Sequence, residues 1–360
     1  MTDRTGSLQP SNQVVHIGAR PVGLSHPCFI IAEAGVNHNG SKQMAKELVD
    51  VAAAAGVDAV KFQTFKTEEL VAPSTPKAEY QEKALGGDID QFEMLKELEL
   101  EDKVFAELKV YCESKGVMFL STPFDMASVD LLEDIGVEAY KVSSGDLTNH
   151  PLLSRLSRIG KPVILSTGMS VLEEVIESLE VVRNDGESEV ILLHCTTQYP
   201  TPPEEVNLSA MRSLGKSTGY LTGFSDHTRG IDIASASVAL GACVLEKHFT
   251  LDRNLKGPDH AASLEPSELE ALVVSVRRVE TAMGREEKKP SQNELDVAKV
   301  ARKSLMSLVR ISRGEVIRPE MLTCRRPGTG LAPRHLEEFV GKEALRDIDA
   351  GSPLRWEDIQ

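Results

Sequence analysis

Two histidines stand at matching places in the chain. The apolar run Tyr220–Phe224 leads straight into Ser225, Asp226 and His227, and Cys243–Leu245 leads into Glu246, Lys247 and His248. The segment between them, Ile231–Leu240, is small and apolar and suits a helix lying across a sheet. A strand–helix–strand unit of this length brings parallel strand ends side by side. His227 and His248 are then expected to face each other across one pocket, with Asp259 within reach from the following loop. Two imidazoles with nearby carboxylates can hold a divalent metal and leave coordination positions for substrate. Either histidine alone would more often satisfy a local hydrogen bond. Their pairing at neighbouring strand ends is what points to a site.

Two lysines add a second kind of chemistry. Lys61 and Lys141 follow Val60 and Tyr140 at positions that read as buried, in a chain whose formal net charge is −15. Lysines that converge with serines make an anion site, because the ammonium supplies a point charge while hydroxyls and loop N–H groups supply directional donors. The alternative is a Schiff-base lysine, which needs desolvation to lower its pKa. The paired histidines argue against it, since such chemistry has no need of a metal.

These residues need a scaffold that gathers them. Short apolar, β-branched runs occur near Phe29–Ala32, Ala59–Phe62, Met118–Leu120, Ala139–Val142, Val163–Leu165, Val190–Leu193, Leu221–Phe224 and Cys243–Leu245. Segments with apolar spacing of three and four separate them, and several end at glycines suited to a left-handed cap: Gly56, Gly116, Gly136 and Gly160. Eight strands alternating with helices over about 250 residues predict an α/β fold, a (β/α)8 TIM barrel. An open doubly wound sheet is the alternative, weakened because HNG, not GxGxxG, follows the first strand. Barrel active sites lie at the C-terminal strand ends. There the chain carries Glu33, Lys61, Gln63, Ser121, Thr122, Lys141, Ser143, Ser144, Asp146, Ser166, Thr167, His194, Thr196, Thr197, Tyr199, Ser225, Asp226, His227, Glu246 and His248.

The expected boundaries are an N-terminal tail (1–26), the barrel (27–284), a linker (285–300) and a small β-rich domain (301–360). The long stretch 65–92 inside the barrel reads as a lid or a subunit contact. In the last domain Ile311–Leu322 recurs as Ile348–Ile359 at an offset of 37, which predicts internal pseudo-symmetry. Between the copies, the loop Cys324–Pro333 carries two arginines, and is either a rigid turn or a cap over an anionic substrate.

Composition excludes other classes. No basic run offers a nucleic-acid footprint, and no apolar run approaches the roughly 20 residues that span a bilayer. The five cysteines are scattered with no CxxC pair, as expected of reduced thiols in the cytoplasm. The polar N-terminus lacks the pattern of a signal peptide.

The ordered motifs FIIAEAGVNHNG, VKFQTFK, FLSTPFD, YKVSSGD, ILSTGM, LHCTTQYPTP, GFSDHTRG, EKHFTLDRNLKGPDH, RKSL and RRPGTG closely resemble those of bacterial sialic acid (nonulosonate) synthases. The resemblance covers roughly residues 27–360 and implies a barrel followed by an antifreeze-like (SAF) domain. It implies condensation of phosphoenolpyruvate with an open-chain N-acetylmannosamine-type sugar, giving N-acetylneuraminate or a close analogue plus phosphate. It also implies Mn2+ or Mg2+ on His227 and His248, and a domain-swapped homodimer. Lys61, Thr122, Lys141, Ser144, Ser166 and Ser225 would bind phosphoenolpyruvate. Glu33, Asp259 and His248 would be catalytic. Gln63, Asp146, Thr197, Tyr199 and Arg326 would meet the sugar, Arg326 from the other subunit. Thr197 stands where N-acetylneuraminate synthases often carry Asn, and CTTQYP looks more like synthases that use 2,4-diacetamido-2,4,6-trideoxymannose on the way to legionaminic acid. Two rival readings are a metal-dependent aldolase using pyruvate and a non-enzymatic sugar- or ice-binding protein.

Overall fold

The computed structural model describes residues 13–78, 81–82 and 89–360, in two compact units, 1–284 and 285–360. The first begins with an antiparallel hairpin of β1 (Val15–Ile17) and β2 (Arg20–Val22), turned at Gly18 with φ +56°. Val15, Ile17 and Val22 pack with Phe29, Ile31, Ala59 and Leu120 in one apolar cluster inside the barrel. The expected tail of residues 1–26 is therefore corrected from Val15 onward. Strands of three residues, one containing Pro21, are too short to show a period in the sequence.

Eight parallel strands follow: β3 (Phe29–Gly35), β4 (Ala59–Thr64), β5 (Met118–Pro123), β6 (Tyr140–Val142), β7 (Val163–Ser166), β8 (Val190–Cys195), β9 (Leu221–Asp226) and β10 (Val244–His248). They pair in the order β5-β4-β3-β10-β9-β8-β7-β6, and β5 lies against β6 to close the ring. Each is followed by a helix, from Lys42–Ala55 after β3 to Pro266–Met283 after β10. This is the expected (β/α)8 barrel. Its helices form because their apolar stripes have a barrel to cover; Ala45, Leu48, Val49 and Ala52 do so on the first, which Ser41 caps and Gly56 ends in the left-handed region.

Successive strand residues point to opposite faces, and that alternation divides the chain's chemistry. Ile30, Ala32, Val60, Phe62 and Leu245 face outward into the cluster beneath the helices. Phe29, Ile31, Ala59, Leu120, Ile164, Ile191, Leu193 and Val244 fill the inner layers. Continuing the inner face by steps of two reaches Glu33, Lys61, Thr122, Lys141, Ser166, Cys195, Ser225, Glu246 and His248. Most strands therefore extend past their apolar runs, because the polar residues continue the same pleat. No helix among the described residues is long and apolar enough to cross a membrane.

In the second unit, the expected linker (285–300) is corrected in its later half by a helix, Gln292–Ala301. Ser291 and Glu294 form a reciprocal capping box at its start, a signal hidden behind the charged GREEKKP. Beyond it β11 (Ser304–Ser307) pairs antiparallel with β12 (Leu322–Arg325). The two copies of the repeat meet directly: Ile311 and Ile348 exchange backbone hydrogen bonds of 2.9 and 2.8 Å. Gly314 and Gly351 take matching φ values of +85° and +81°, and Ile317 and Leu354 are both buried in the small core.

Candidate active site

The strand ends surround a cavity of about 380 Å³. Of the residues expected there, Glu33, Lys61, Gln63, Thr122, Lys141, Ser144, Ser166, Thr197, Tyr199, Ser225, His227, His248 and Asp259 line it. Asp146 does not: Ser143 Oγ and Asn149 Nδ2 donate to its two carboxylate oxygens at 2.8 and 3.1 Å, tying it into its own turn. Arg326 is an exposed residue of the second unit. The expected lid, 65–92, includes residues 79–80 and 83–88, which lie outside the described residues; its remainder includes the short helix Thr67–Leu70 and the start of Gln91–Leu98.

The floor is a charge-compensated cluster. Lys61 Nζ lies 2.7 Å from Glu33 Oε2 and 3.7 Å from Glu246 Oε2, and donates to Thr122 Oγ1 at 3.1 Å. Lys141 Nζ donates to Ser166 Oγ at 2.6 Å and to the Val142 carbonyl at 3.0 Å, and lies 3.7 Å from Glu246 Oε1. Ser225 Oγ donates to Glu246 Oε1 at 2.9 Å. Burial works against the Glu246 carboxylate, but Lys141, Lys61 and Ser225 outweigh it and hold its pKa below the usual range. Burial dominates at Glu33 and pushes its carboxyl up to about 7 against the pull of Lys61. For Lys61, burial is outweighed by Glu246 and Glu33, so its pKa is raised; for Lys141 burial prevails and lowers it. The strand-end reading names Glu246 without a role, yet it holds both lysines in place. Its spacing of two from His248 is the signal that both share the inner face.

The imidazoles form the other side. His227 and His248 have ring centroids 5.6 Å apart, and the Tyr199 ring lies 4.0 Å from the first and 5.5 Å from the second. His227 Nδ1 lies 2.7 Å from the Thr196 carbonyl, which leaves Nε2 for the cavity. His248 Nδ1 is buried with no hydrogen-bond partner and sits 4.0 Å from Asp259 Oδ2. Burial first, then His227 and the lysines, push His248 well below the ordinary histidine range, so its imidazole is neutral and free to ligate. Burial likewise pushes Asp259 up to about 6, with His227 opposing. On β8 the inner position belongs to Cys195, 3.8 Å from His227 Nδ1. His194 instead points away, stacked on Phe224 and bonded at 2.7 Å to the Val206 carbonyl.

What aligns the two histidines lies on the outer face. Asp226 and Lys247 are neighbours in register on β9 and β10, each one residue before its histidine. Lys247 Nζ donates to Asp226 Oδ2 at 2.7 Å and to the Thr228 carbonyl at 2.6 Å, while Asp226 Oδ1 accepts from Thr228 N at 2.8 Å. This buried pair clamps the turn that carries His227 to the strand that carries His248. Removing one partner of such a pair costs about 3–5 kcal/mol by leaving an uncompensated charge.

Fold and floor together define a (β/α)8 protein whose strand ends gather two buried lysines beside a pair of neighbouring imidazoles. Residues 48–288 match the NeuB family and residues 302–360 the SAF domain, and the chain belongs to the NeuB family. It is 47% identical over 329 residues to N,N'-diacetyllegionaminic acid synthase of Campylobacter jejuni, covering 91% of this chain and 98% of that protein. To the protein of that name from Legionella pneumophila it is 45% identical, covering 97% and 99%. Among solved structures, the N-acetylneuraminic acid (sialic acid) synthetase from Leptospira borgpetersenii in complex with citrate is 35% identical, with a TM-score of 0.70 and coverage of 79% and 95%.

Proposed function

We propose that this NeuB-family enzyme condenses phosphoenolpyruvate with the open-chain form of 2,4-diacetamido-2,4,6-trideoxymannose, giving N,N'-diacetyllegionaminate and phosphate. The family membership and the cluster of Lys61, Lys141 and Glu246 carry the reaction class; the names of the two relatives at 47% and 45% identity favour this acceptor over N-acetylmannosamine. Carbon 3 of phosphoenolpyruvate bonds to the aldehyde carbon, water adds at C2, and the C2–O bond breaks to release phosphate. Lys61 and Lys141 hold the phosphate and carboxylate, with hydroxyls of Thr122, Ser144, Ser166 and Ser225 as directional donors. These groups are fixed before substrate arrives, so they stabilise developing charge without reorganising. Glu33, whose pKa of about 7 lies near the working pH, is the proton handler, with Asp259 beside the acceptor. Gln63, Thr197 and Tyr199 line the acceptor side.

A divalent metal, Mn2+ or Mg2+, would be held by His227 and His248 and would supply Lewis-acid polarisation of the aldehyde oxygen. The pair fits: one neutral imidazole with an unpartnered nitrogen, and one whose Nδ1 is occupied so that Nε2 faces the cavity. Among the described residues no third His, Cys, Asp or Glu completes a cluster, so water and substrate would fill the other positions.

A symmetric homodimer in which Arg326 meets the acceptor's acyl group from the second copy is part of the proposal, supported by the resemblance of RRPGTG. Mixing inactive Arg326→Ala and His227→Ala subunits should restore part of the activity; no rescue under confirmed subunit exchange would remove the shared site. The reaction itself is tested by incubating the enzyme with phosphoenolpyruvate and a panel of acceptors, reading phosphate and product mass. A pyruvate-using aldolase would release no phosphate.

A further inference from the structure

The cavity has a second, apolar half. Above the charged floor, Leu70, Val71, Met94, Leu95, Leu98 and Phe124 line one wall. They come from the chain after β4 and from the turn after β5, and all but Val71 belong to a separate small core whose buried members are Val36, Phe65, Met94 and Leu98. An edge contact between Phe65 and Phe124, with centroids 6.4 Å apart, ties those two segments together. Leu70, Val71, Leu95 and Phe124 remain partly exposed and line the open space. The polar side chains along this wall are amides, Gln81 and Gln91, and both cationic lining residues other than histidine, Lys61 and Lys141, sit on the floor.

A fully hydroxylated sugar fits such a wall poorly. Each hydroxyl turned towards Leu95 or Phe124 would give up water without gaining a partner. A phosphate there would meet no cation among the described residues. A methyl group loses nothing and gains burial. Building on the condensation proposed above, we infer that this wall seats a methyl-terminated substituent of the acceptor, either a deoxygenated C6 or the methyl of a C4 acetamido group. Leu95 and Val71 are thereby specificity-determining residues. The wall selects the acceptor while the floor selects phosphoenolpyruvate, and the two halves vary independently.

The test measures phosphate release by the full-length enzyme with phosphoenolpyruvate and four acceptors: N-acetylmannosamine, its 6-deoxy derivative, 2,4-diacetamido-2,4,6-trideoxymannose, and N-acetylmannosamine 6-phosphate. Hydrophobic pockets discriminate by roughly 10- to 100-fold per group, so kcat/KM should rise by about that factor at the step that adds the seated methyl. A rise from the first acceptor to the second assigns the wall to C6, and a rise from the second to the third assigns it to the acetamido methyl. The 6-phosphate should be the poorest. Leu95→Asn and the isosteric Val71→Thr should each shrink the preferred step towards parity, with the KM for phosphoenolpyruvate unchanged. Equal kcat/KM for the first three acceptors overturns the inference, as does a preference that neither variant alters. If Leu95→Asn fails to fold, Val71→Thr and the wild-type series still decide. Phosphate release without preference defeats only the wall; no phosphate with any acceptor defeats the condensation as well.

Discussion

His227→Ala and His248→Ala are each expected to lose turnover by at least about three decades, since polarising a reacting oxygen is worth several kcal/mol and each decade is about 1.4 kcal/mol. The fold should survive. His248 Nδ1 makes no hydrogen bond, and removing His227 frees one carbonyl, that of Thr196. A single unsatisfied group costs about 1–3 kcal/mol, which a domain with about 5–15 kcal/mol of stability tolerates. Two measurements separate loss of the ligand from loss of structure. Bound metal, counted after dialysis, should fall to trace in both variants while the far-UV spectrum stays native. Chelation of the wild type should abolish turnover, and Mn2+ or Mg2+ should restore it. Full activity in a variant, or in exhaustively chelated enzyme, would remove the metal assignment and leave the anion floor as the surviving feature.

Lys61→Ala and Lys141→Ala should each weaken phosphoenolpyruvate binding by about 10- to 100-fold, the equivalent of about 1.5–3 kcal/mol for a charge-assisted contact. Affinity for the acceptor should change little, because both ammonium groups sit on the floor, bonded to Thr122 and Ser166 respectively. The two variants should also differ from each other. Lys61 touches both Glu33 and Glu246, so its removal leaves two buried carboxylates facing each other with only Lys141 nearby. Glu33, already at about 7 through burial, must then rise further, because the ammonium that lowers its pKa is gone. Any acid limb assigned to Glu33 should move to higher pH in Lys61→Ala. In Lys141→Ala it should move less, since Lys141 is the smaller of the two lysine influences on Glu33. Titration calorimetry with phosphoenolpyruvate alone reports the first effect and the pH–rate profile the second. Equal weakening of both substrates would contradict a site divided into two halves.

Much of this protein was legible before any coordinates. The barrel follows from apolar runs alternating with helical stripes, since both periods are local consequences of backbone geometry. The residues at the strand ends follow from counting onward along each run, and for β3, β4, β9 and β10 this leads directly to Glu33, Lys61, Ser225, Glu246 and His248. The pseudo-repeat of the small domain was visible as an offset of 37, and its Ile311–Ile348 pairing is the physical outcome. The remainder is set by packing between segments distant in sequence. The hairpin Val15–Val22 is too short to carry a period and is ordered only because the barrel offers an apolar surface inside it. Asp146 looks from the sequence like a residue free to face the substrate; Ser143 and Asn149 turn it aside. On β8, only the handedness of the pleat decides that Cys195 faces in and His194 out. The apolar wall arises because the segments that hold Leu70, Val71, Met94, Leu95 and Leu98 come to the strand ends, where Leu95 meets a cavity built by strands far along the chain. Sequence determines which chemical groups a strand end can offer. Which of them face one another is decided by closure of the ring, because only closure removes water from between Lys61, Lys141 and Glu246.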